Sequence, residues 1–247
     1  MKKIIETQGL TRTFGAFTAV DAISFDVYEG EIFGFLGANG AGKTTAMKML
    51  SGLLAPSGGK ATVVGFDVKT QSEEIKKQIG YMSQRFSLYE DLTVAENIHL
   101  FGSIYGLKKA ALAQKAELLL EQLEFTDQRN TLVGDLPLGW KQKLSFSVAM
   151  LHEPRLVFLD EPTGGVDPIT RRQFWEMIYA AAHKGATVFV TTHYMDEAEY
   201  CDRVSIMVDG KIAALDTPRN LKQQFNAPDM NDVFLQLAAT SVARAGF

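Results

Sequence analysis

Eight consecutive residues near the start of the chain have types and spacing suited to holding phosphate. Gly37, Ala38, Asn39, Gly40, Ala41, Gly42, Lys43 and Thr44 satisfy the pattern G-x-x-x-x-G-K-[ST], and Thr45 continues the run. Glycines let the backbone curl so that successive amides point at phosphate oxygens. The lysine adds a compact charge for the β and γ phosphates, and the threonine hydroxyl is a potential Mg²⁺ ligand. So short a pattern also occurs by chance, and its context decides. Glu31–Leu36 has the composition of a buried strand leading into the loop, and Thr45–Gly52 has helical composition ending at a glycine suited to a C-cap. A strand, a glycine-rich turn and a helix in that order predict a nucleotide site.

Such a site needs carboxylates. The apolar run Leu156–Leu159 ends in Asp160 and Glu161. Side chains alternate along a strand, so adjacent acids serve one ligand only if the strand has ended. A sensible division has Asp160 holding Mg²⁺, directly or through water, while Glu161 orients and polarises an attacking water. In isolation the two acids would be a solvated strand end; beside an intact phosphate loop they are candidates for hydrolysis of a phosphoanhydride.

The elements that must position these residues are legible from patterning. Gly9, Gly15, Gly30, Gly34, Gly52, Gly58 and Gly59 punctuate short apolar runs, and Ile23–Val27 alternates as one half-buried strand would. Thr93 with Glu96 matches a helix capping box, and Leu112, Ala116, Leu119, Leu120 and Leu123 recur at helical spacing. Residues 86–153 are expected to be mostly helical. Leu156–Leu159 and Thr187–Val190 are strands with a helical segment between them, which implies a parallel sheet covered by helices. The helical middle is then an insertion between two parts of one α/β core.

Composition narrows the partners. The 247 residues carry 25 Lys+Arg against 29 Asp+Glu, a formal charge of −4, so no basic footprint for nucleic acid is present and none is expected as a partner. No apolar run approaches the roughly 18–20 residues of a membrane span, and MKKIIETQGL lacks the apolar stretch of a secretion signal. Cys201 is the single cysteine, which suits a reducing cytosol. The expectation is a soluble cytosolic protein that borrows any membrane role from a partner.

With these residues in place, the chain resembles the ATP-binding subunit of ATP-binding-cassette (ABC) transporters over nearly its whole length. Phe14, in RTFG, stands where the family has an aromatic that stacks on adenine. Gln84, in IGYMSQ, matches the glutamine that reaches Mg²⁺ and water and links the core to the helical insertion. Leu159–Thr163 matches the segment with the catalytic glutamate at Glu161. Asp167, in GGVD, matches the D-loop, and His193, in VTTH, matches the histidine that contacts the γ-phosphate. The tail Met230–Leu237 is similar to the final helix of cassettes that serve ABC-2-type exporters.

The resemblance implies an α/β fold of the P-loop NTPase (RecA-like) type: a parallel-sheet core, an N-terminal antiparallel β part and a helical insertion. Residues 1–85 and 154–222 would be the ATP-binding core, 86–153 the helical subdomain and 223–247 a helical tail. ATP and Mg²⁺ are the implied cofactors, with Thr44, Gln84 and Asp160 around the metal. Membrane-spanning permease subunits and a second cassette, in a homodimer or heterodimer, are the implied partners. The implied location is the cytoplasmic face of the cell membrane, peripherally bound. Taken singly, Phe14 would be a core aromatic, Gln84 a surface amide and His193 a hydrogen-bonded histidine. No motif claims His99, His152 or His183, and Cys201 has no catalytic partner pattern. The apolar residues around Phe86–Tyr105 are expected to be helix core, or in part a groove for a permease helix.

One motif departs from the family. The signature LSGGQ, which faces the γ-phosphate from the opposite subunit, corresponds here to Leu136, Pro137, Leu138, Gly139 and Trp140, of which only Leu136 and Gly139 match. Pro137 removes a hydroxyl and an amide donor, and Leu138 adds bulk. Losing such bonds to a charged group costs roughly 1.5–3 kcal/mol each. The D-loop departs at Gly164 and Gly165. Two readings stay open: a lineage variant that hydrolyses ATP, and an asymmetric pair in which a different cassette supplies the intact signature. Rivals at this level are a non-transport ABC ATPase, a nucleotide-gated regulator with little turnover, and a P-loop kinase. The last leaves Gln84, Asp167 and His193 unexplained.

Overall fold

The computed structural model describes residues 2–84 and 88–244. In chain order, β1 (Lys3–Phe14) and β2 (Phe17–Ile23) form a hairpin, followed by β3 (Asp26–Tyr28), β4 (Ile32–Gly37), α1 (Lys43–Leu50), β5 (Gly58–Val63) and β6 (Phe66–Asp67). Next come α2 (Ser72–Gln78), β7 (Ile79–Met82), and three helices, α3 (Val94–Ile104), α4 (Lys109–Gln122) and α5 (Leu138–Ala149). The chain continues through β8 (Leu156–Asp160), α6 (Pro168–His183), β9 (Thr187–Thr192), β10 (Arg203–Val208), β11 (Lys211–Asp216), α7 (Pro218–Gln224) and α8 (Met230–Arg244).

Two sheets result. The first is antiparallel, in the order β2-β1-β5-β6, with β3 also pairing β1. The second runs β11-β10-β4-β9-β8-β7 and is parallel except for the β10–β11 edge. β4, β8 and β9 are buried at every residue, as expected of strands covered on both faces; β4 and β8 are apolar up to Asp160, and β9 carries buried threonines at its two ends. A cluster of phenylalanines fills the space between the sheets. The rings of Phe25, Phe33, Phe35 and Phe158 each lie 5.3–6.3 Å from that of Phe189. The opposite face of the parallel sheet packs on Phe174, Trp175 and Ile178 of α6 and on Met230 and Val233 of α8. A third apolar cluster, from Leu88 to Leu151, holds α3, α4 and α5 together.

Local expectations hold with two adjustments. Thr93 accepts from the Glu96 amide while the Glu96 carboxylate accepts from the Thr93 amide, which makes α3 start where its capping box says. α1 is closed just beyond its C-cap Ser51 by Gly52, φ 72°, in a Schellman motif: Gly52 N donates to Met49 O and Leu53 N to Lys48 O. It begins two residues before the expected Thr45, because Lys43 and Thr44 are themselves in the first turn. The single strand expected over Ile23–Val27 is instead two. Ala22 adopts φ 50°, and hydroxyls replace the ladder: Phe25 N donates to Thr7 Oγ1 at 2.8 Å and Gly9 N to Ser24 Oγ at 2.8 Å. The alternation of burial survives the break, so periodicity alone could not reveal it. The expected boundary at 85/86, and Phe86 itself, lie outside the described residues; that at 222/223 falls within α7.

Candidate nucleotide site

β4 delivers the phosphate loop. It is clamped between β10 and β9, so residues 37–42 emerge at a fixed point on the C-terminal edge of the sheet and α1 begins at once. This is where ligands bind in open parallel sheets. Gly42 caps α1 with φ 104°, and a Cβ there would lie 2.3 Å from the Ala19 carbonyl oxygen of β2, so only glycine fits. Gly210 N donates to Ala41 O, which ties the loop from the other side.

The side chains of six expected residues meet in one polar group, with the carbonyls of Gly37 and Ala38 joining it. Lys43 is buried, and its Nζ donates to Gly37 O at 2.8 Å and Ala38 O at 3.1 Å and lies 3.3 Å from Glu161 Oε1. Thr44 Oγ1 donates to Asp160 Oδ1 at 3.2 Å. Glu161 Oε2 accepts from Gln84 Nε2 at 2.9 Å and sits 3.1 Å from His193 Nδ1. The adjacency of two acids is resolved by the backbone. β8 ends at Asp160, and Glu161 turns left-handed, φ 49°, with its amide donating to both Thr191 O and Thr191 Oγ1. A non-glycine residue in that region costs roughly 1–2 kcal/mol, which the surrounding hydrogen bonds must offset.

Two residues, one in this group and one beside it, escape a reading by motif. Thr191 Oγ1 donates to Asp160 Oδ1 at 2.6 Å, and the only signal for it is its place at the end of a strand, two residues before His193. The Tyr81 hydroxyl is buried without a hydrogen-bond partner; burial first, then the Asp160 charge, push its pKa well above the ordinary phenol value. Burial likewise raises the Asp160 carboxyl above the usual range, against the opposing hydrogen bonds from Thr191 and Thr44.

The donor set suits Mg²⁺. Thr44 hydroxyl and Asp160 carboxylate are hard oxygen ligands brought together, and the unpartnered Tyr81 hydroxyl leaves a donor for a water near them. Among the described residues no group of three or more His, Cys, Asp or Glu could hold a metal by itself.

The remaining expected residues lie outside this group. Phe14 ends β1 opposite Phe17, half exposed, with the Arg12 guanidinium 4.6 Å from its ring. Asp167 caps α6, accepting from the amides of Ile169 and Thr170 at 3.0 Å. Leu136 is buried and Pro137 is the N-cap of α5, one position earlier than the first helical turn; its carbonyl accepts from Trp140 N and Lys141 N. Trp140 stacks on Phe125 at 4.8 Å, and Gly139 lies against Thr170 of α6. Leu138 lines a cavity of about 160 Å³ together with Gln84, Glu161 and Gly164 of its own chain, and Gln142 Nε2 donates to Gly164 O at 3.1 Å. The altered signature and the altered D-loop are therefore neighbours in space.

A buried strand, a glycine loop with Lys43 and Thr44, and acids at the end of β8, one strand beyond the neighbouring β9, define a P-loop nucleotide-binding protein. The family described as ABC transporter matches residues 20–164. The chain is 47% identical over 239 residues to the probable multidrug ABC transporter ATP-binding protein YbhF of Escherichia coli (strain K12), covering 95% of this chain but 41% of that protein. It is 33% identical over 243 residues to the linearmycin resistance ATP-binding protein LnrL of Bacillus subtilis (strain 168), covering 98% of this chain and 77% of that protein. A solved ATP-binding subunit of an ABC transporter superposes with a TM-score of 0.85 at 28% identity, over 95% of this chain and 99% of that one. The chain belongs to the ABC transporter family, as an ATP-binding cassette. No helix among the described residues is long and apolar enough to cross a membrane.

Proposed function

We propose that the chain binds ATP with Mg²⁺ and hydrolyses it to drive membrane-spanning permease subunits, most closely in the manner of ABC-2-type exporters, from the cytoplasmic face of the membrane. The observation that carries this reading is the convergence of Lys43, Gln84 and His193 on the Glu161 carboxylate. In that arrangement Glu161 is neutralised by the cation that a γ-phosphate would claim. When phosphate takes Lys43, the carboxylate loses that partner and is left to face a water. It can then accept a proton from a water held by Gln84, while His193 donates to the γ-phosphate. Thr44 and Asp160, with Gln84 nearby, would hold Mg²⁺, which when bound would neutralise phosphate charge. Phe14 offers its exposed face to adenine, its other side being covered by Arg12.

Two cassettes pair head to tail, each phosphate loop facing the other's α5 N-terminus, where the amides of Leu138 and Gly139 have no intrahelical acceptor. Relatives named for multidrug transport, linearmycin resistance and Nod factor export support export as the direction. The test is phosphate release by wild type and by Glu161→Gln. Turnover that persists in the variant would remove Glu161 from its role.

An asymmetric pair is favoured by one further feature: the N-cap of α5 has no side-chain hydrogen bond and no hydroxyl to offer phosphate. The partner would then be a different cassette with an intact signature.

A further inference from the structure

Beside the nucleotide group lies a second polar cluster that no motif requires. Glu197, in the 3₁₀ segment Met195–Tyr200 that follows His193, is completely buried. Its Oε1 accepts from Thr163 Oγ1 at 2.5 Å, and its Oε2 is buried with no hydrogen-bond partner. Arg171, in the first turns of α6 just after Asp167, places Nε 3.7 Å from Glu197 Oε1 and makes no hydrogen bond from that atom. The same guanidinium lies 4.1 Å from the centre of the Tyr194 ring and 3.6 Å from Asp196. The Tyr194 ring in turn lies 4.2 Å from that of His193.

A buried carboxylate is tolerated only beside a cation and hydrogen-bond donors. Arg171 and Thr163 are the groups that meet this need, and each belongs to a segment adjoining the site. Thr163 follows Glu161, and Arg171 leads back through α6 to the D-loop. The guanidinium thus touches three residues of the switch segment, Tyr194, Asp196 and Glu197. Its separation from Glu197 exceeds a charge-assisted hydrogen bond by roughly 1 Å. The guanidinium therefore lies between the face of Tyr194 and the carboxylate, with the ion pair not closed.

We propose that Arg171 and Glu197 are positioning residues for His193, joining the D-loop helix to the switch segment so that displacement of one is felt at the other. This rests on the reading of His193 as the γ-phosphate contact. It makes the approach of a second cassette to the D-loop a signal received at His193 within the same chain.

The test uses Arg171→Gln, Arg171→Lys, Tyr194→Leu and Tyr194→Phe in the full chain. Arg171→Gln and Tyr194→Leu are expected to lower kcat at least tenfold with the KM for Mg-ATP within twofold, and the double variant is expected to lose no more than the worse single. Tyr194→Phe, which keeps the aromatic face, and Arg171→Lys, which keeps the charge, should recover most of the rate. A wild-type kcat in Arg171→Gln, or a loss equal in Tyr194→Leu and Tyr194→Phe, would overturn the proposal. Histidine-ring NMR of the nucleotide-free protein gives a readout independent of turnover. Arg171→Gln should shift the His193 resonance and leave those of His99 and His183 in place. An unmoved His193 signal overturns the linkage itself, whereas absent ATP turnover in wild type removes only the functional reading beneath it.

Discussion

At the residue scale, the site is a set of competing pairs. Glu161 holds Lys43, Gln84 and His193 through one carboxylate, so replacing it with glutamine removes the base while keeping a side chain of similar shape. Glu161→Gln should lower phosphate release by about 10²-fold or more, the usual scale of a general base, with ADP binding by calorimetry unchanged. Asp160 behaves differently. Its carboxyl is raised, chiefly by burial, so the folded state binds the proton more tightly than the unfolded one. Stability from this group is greatest below its unfolded value and is lost as pH rises through the folded value. Asp160→Asn removes that loss and keeps an acceptor for Thr44 and Thr191. The thermal midpoint of the nucleotide-free variant at neutral pH should therefore rise, while the stabilisation that Mg-ATP gives to wild type disappears.

At the element scale, the parallel strands are rigid rails for the site, and the phenylalanine cluster holds the two sheets against each other. Phe189 sits at its centre, on the strand that also carries Thr191. Phe189→Ala should destabilise the protein by about 3–5 kcal/mol, read as a lower urea midpoint with little change in slope. The patterning of β4, β8 and β9 and the capping box of α3 were legible because burial on both faces and local capping leave direct marks in composition. The break at Ser24 and Phe25 was not, since Ser24 and Thr7 hydroxyls satisfy the backbone across it without disturbing the alternation.

At the scale of the whole molecule, the proposed pairing of two cassettes would make the site half of an assembly. The solution mass of Glu161→Gln should double on addition of Mg-ATP if this chain pairs with itself. A monomer that binds ATP would point to a different second cassette. The asymmetric reading adds a sharper expectation. Pro137→Ser with Leu138→Gly restores a hydroxyl and removes bulk at the α5 N-terminus, and should raise turnover of the isolated protein by about tenfold, the scale of one recovered charged hydrogen bond. Unchanged turnover would dispose of asymmetry as the reason for the altered signature.

The sequence by itself determined the phosphate loop, the order of strand, loop and helix around it, and the identity of the acids, because each is encoded within a few consecutive residues. Only the tertiary structure decided what those residues do to one another. Thr44 and Asp160 are 116 positions apart, and Lys43 and Glu161 slightly more, so the parallel pairing of β4, β9 and β8 alone makes them partners. The left-handed turn at Glu161, the hydroxyl of Thr191 on Asp160, and the Arg171–Glu197 pair carry no local pattern. They arise from long-range packing, in which buried polar groups must find partners wherever the fold happens to bring them.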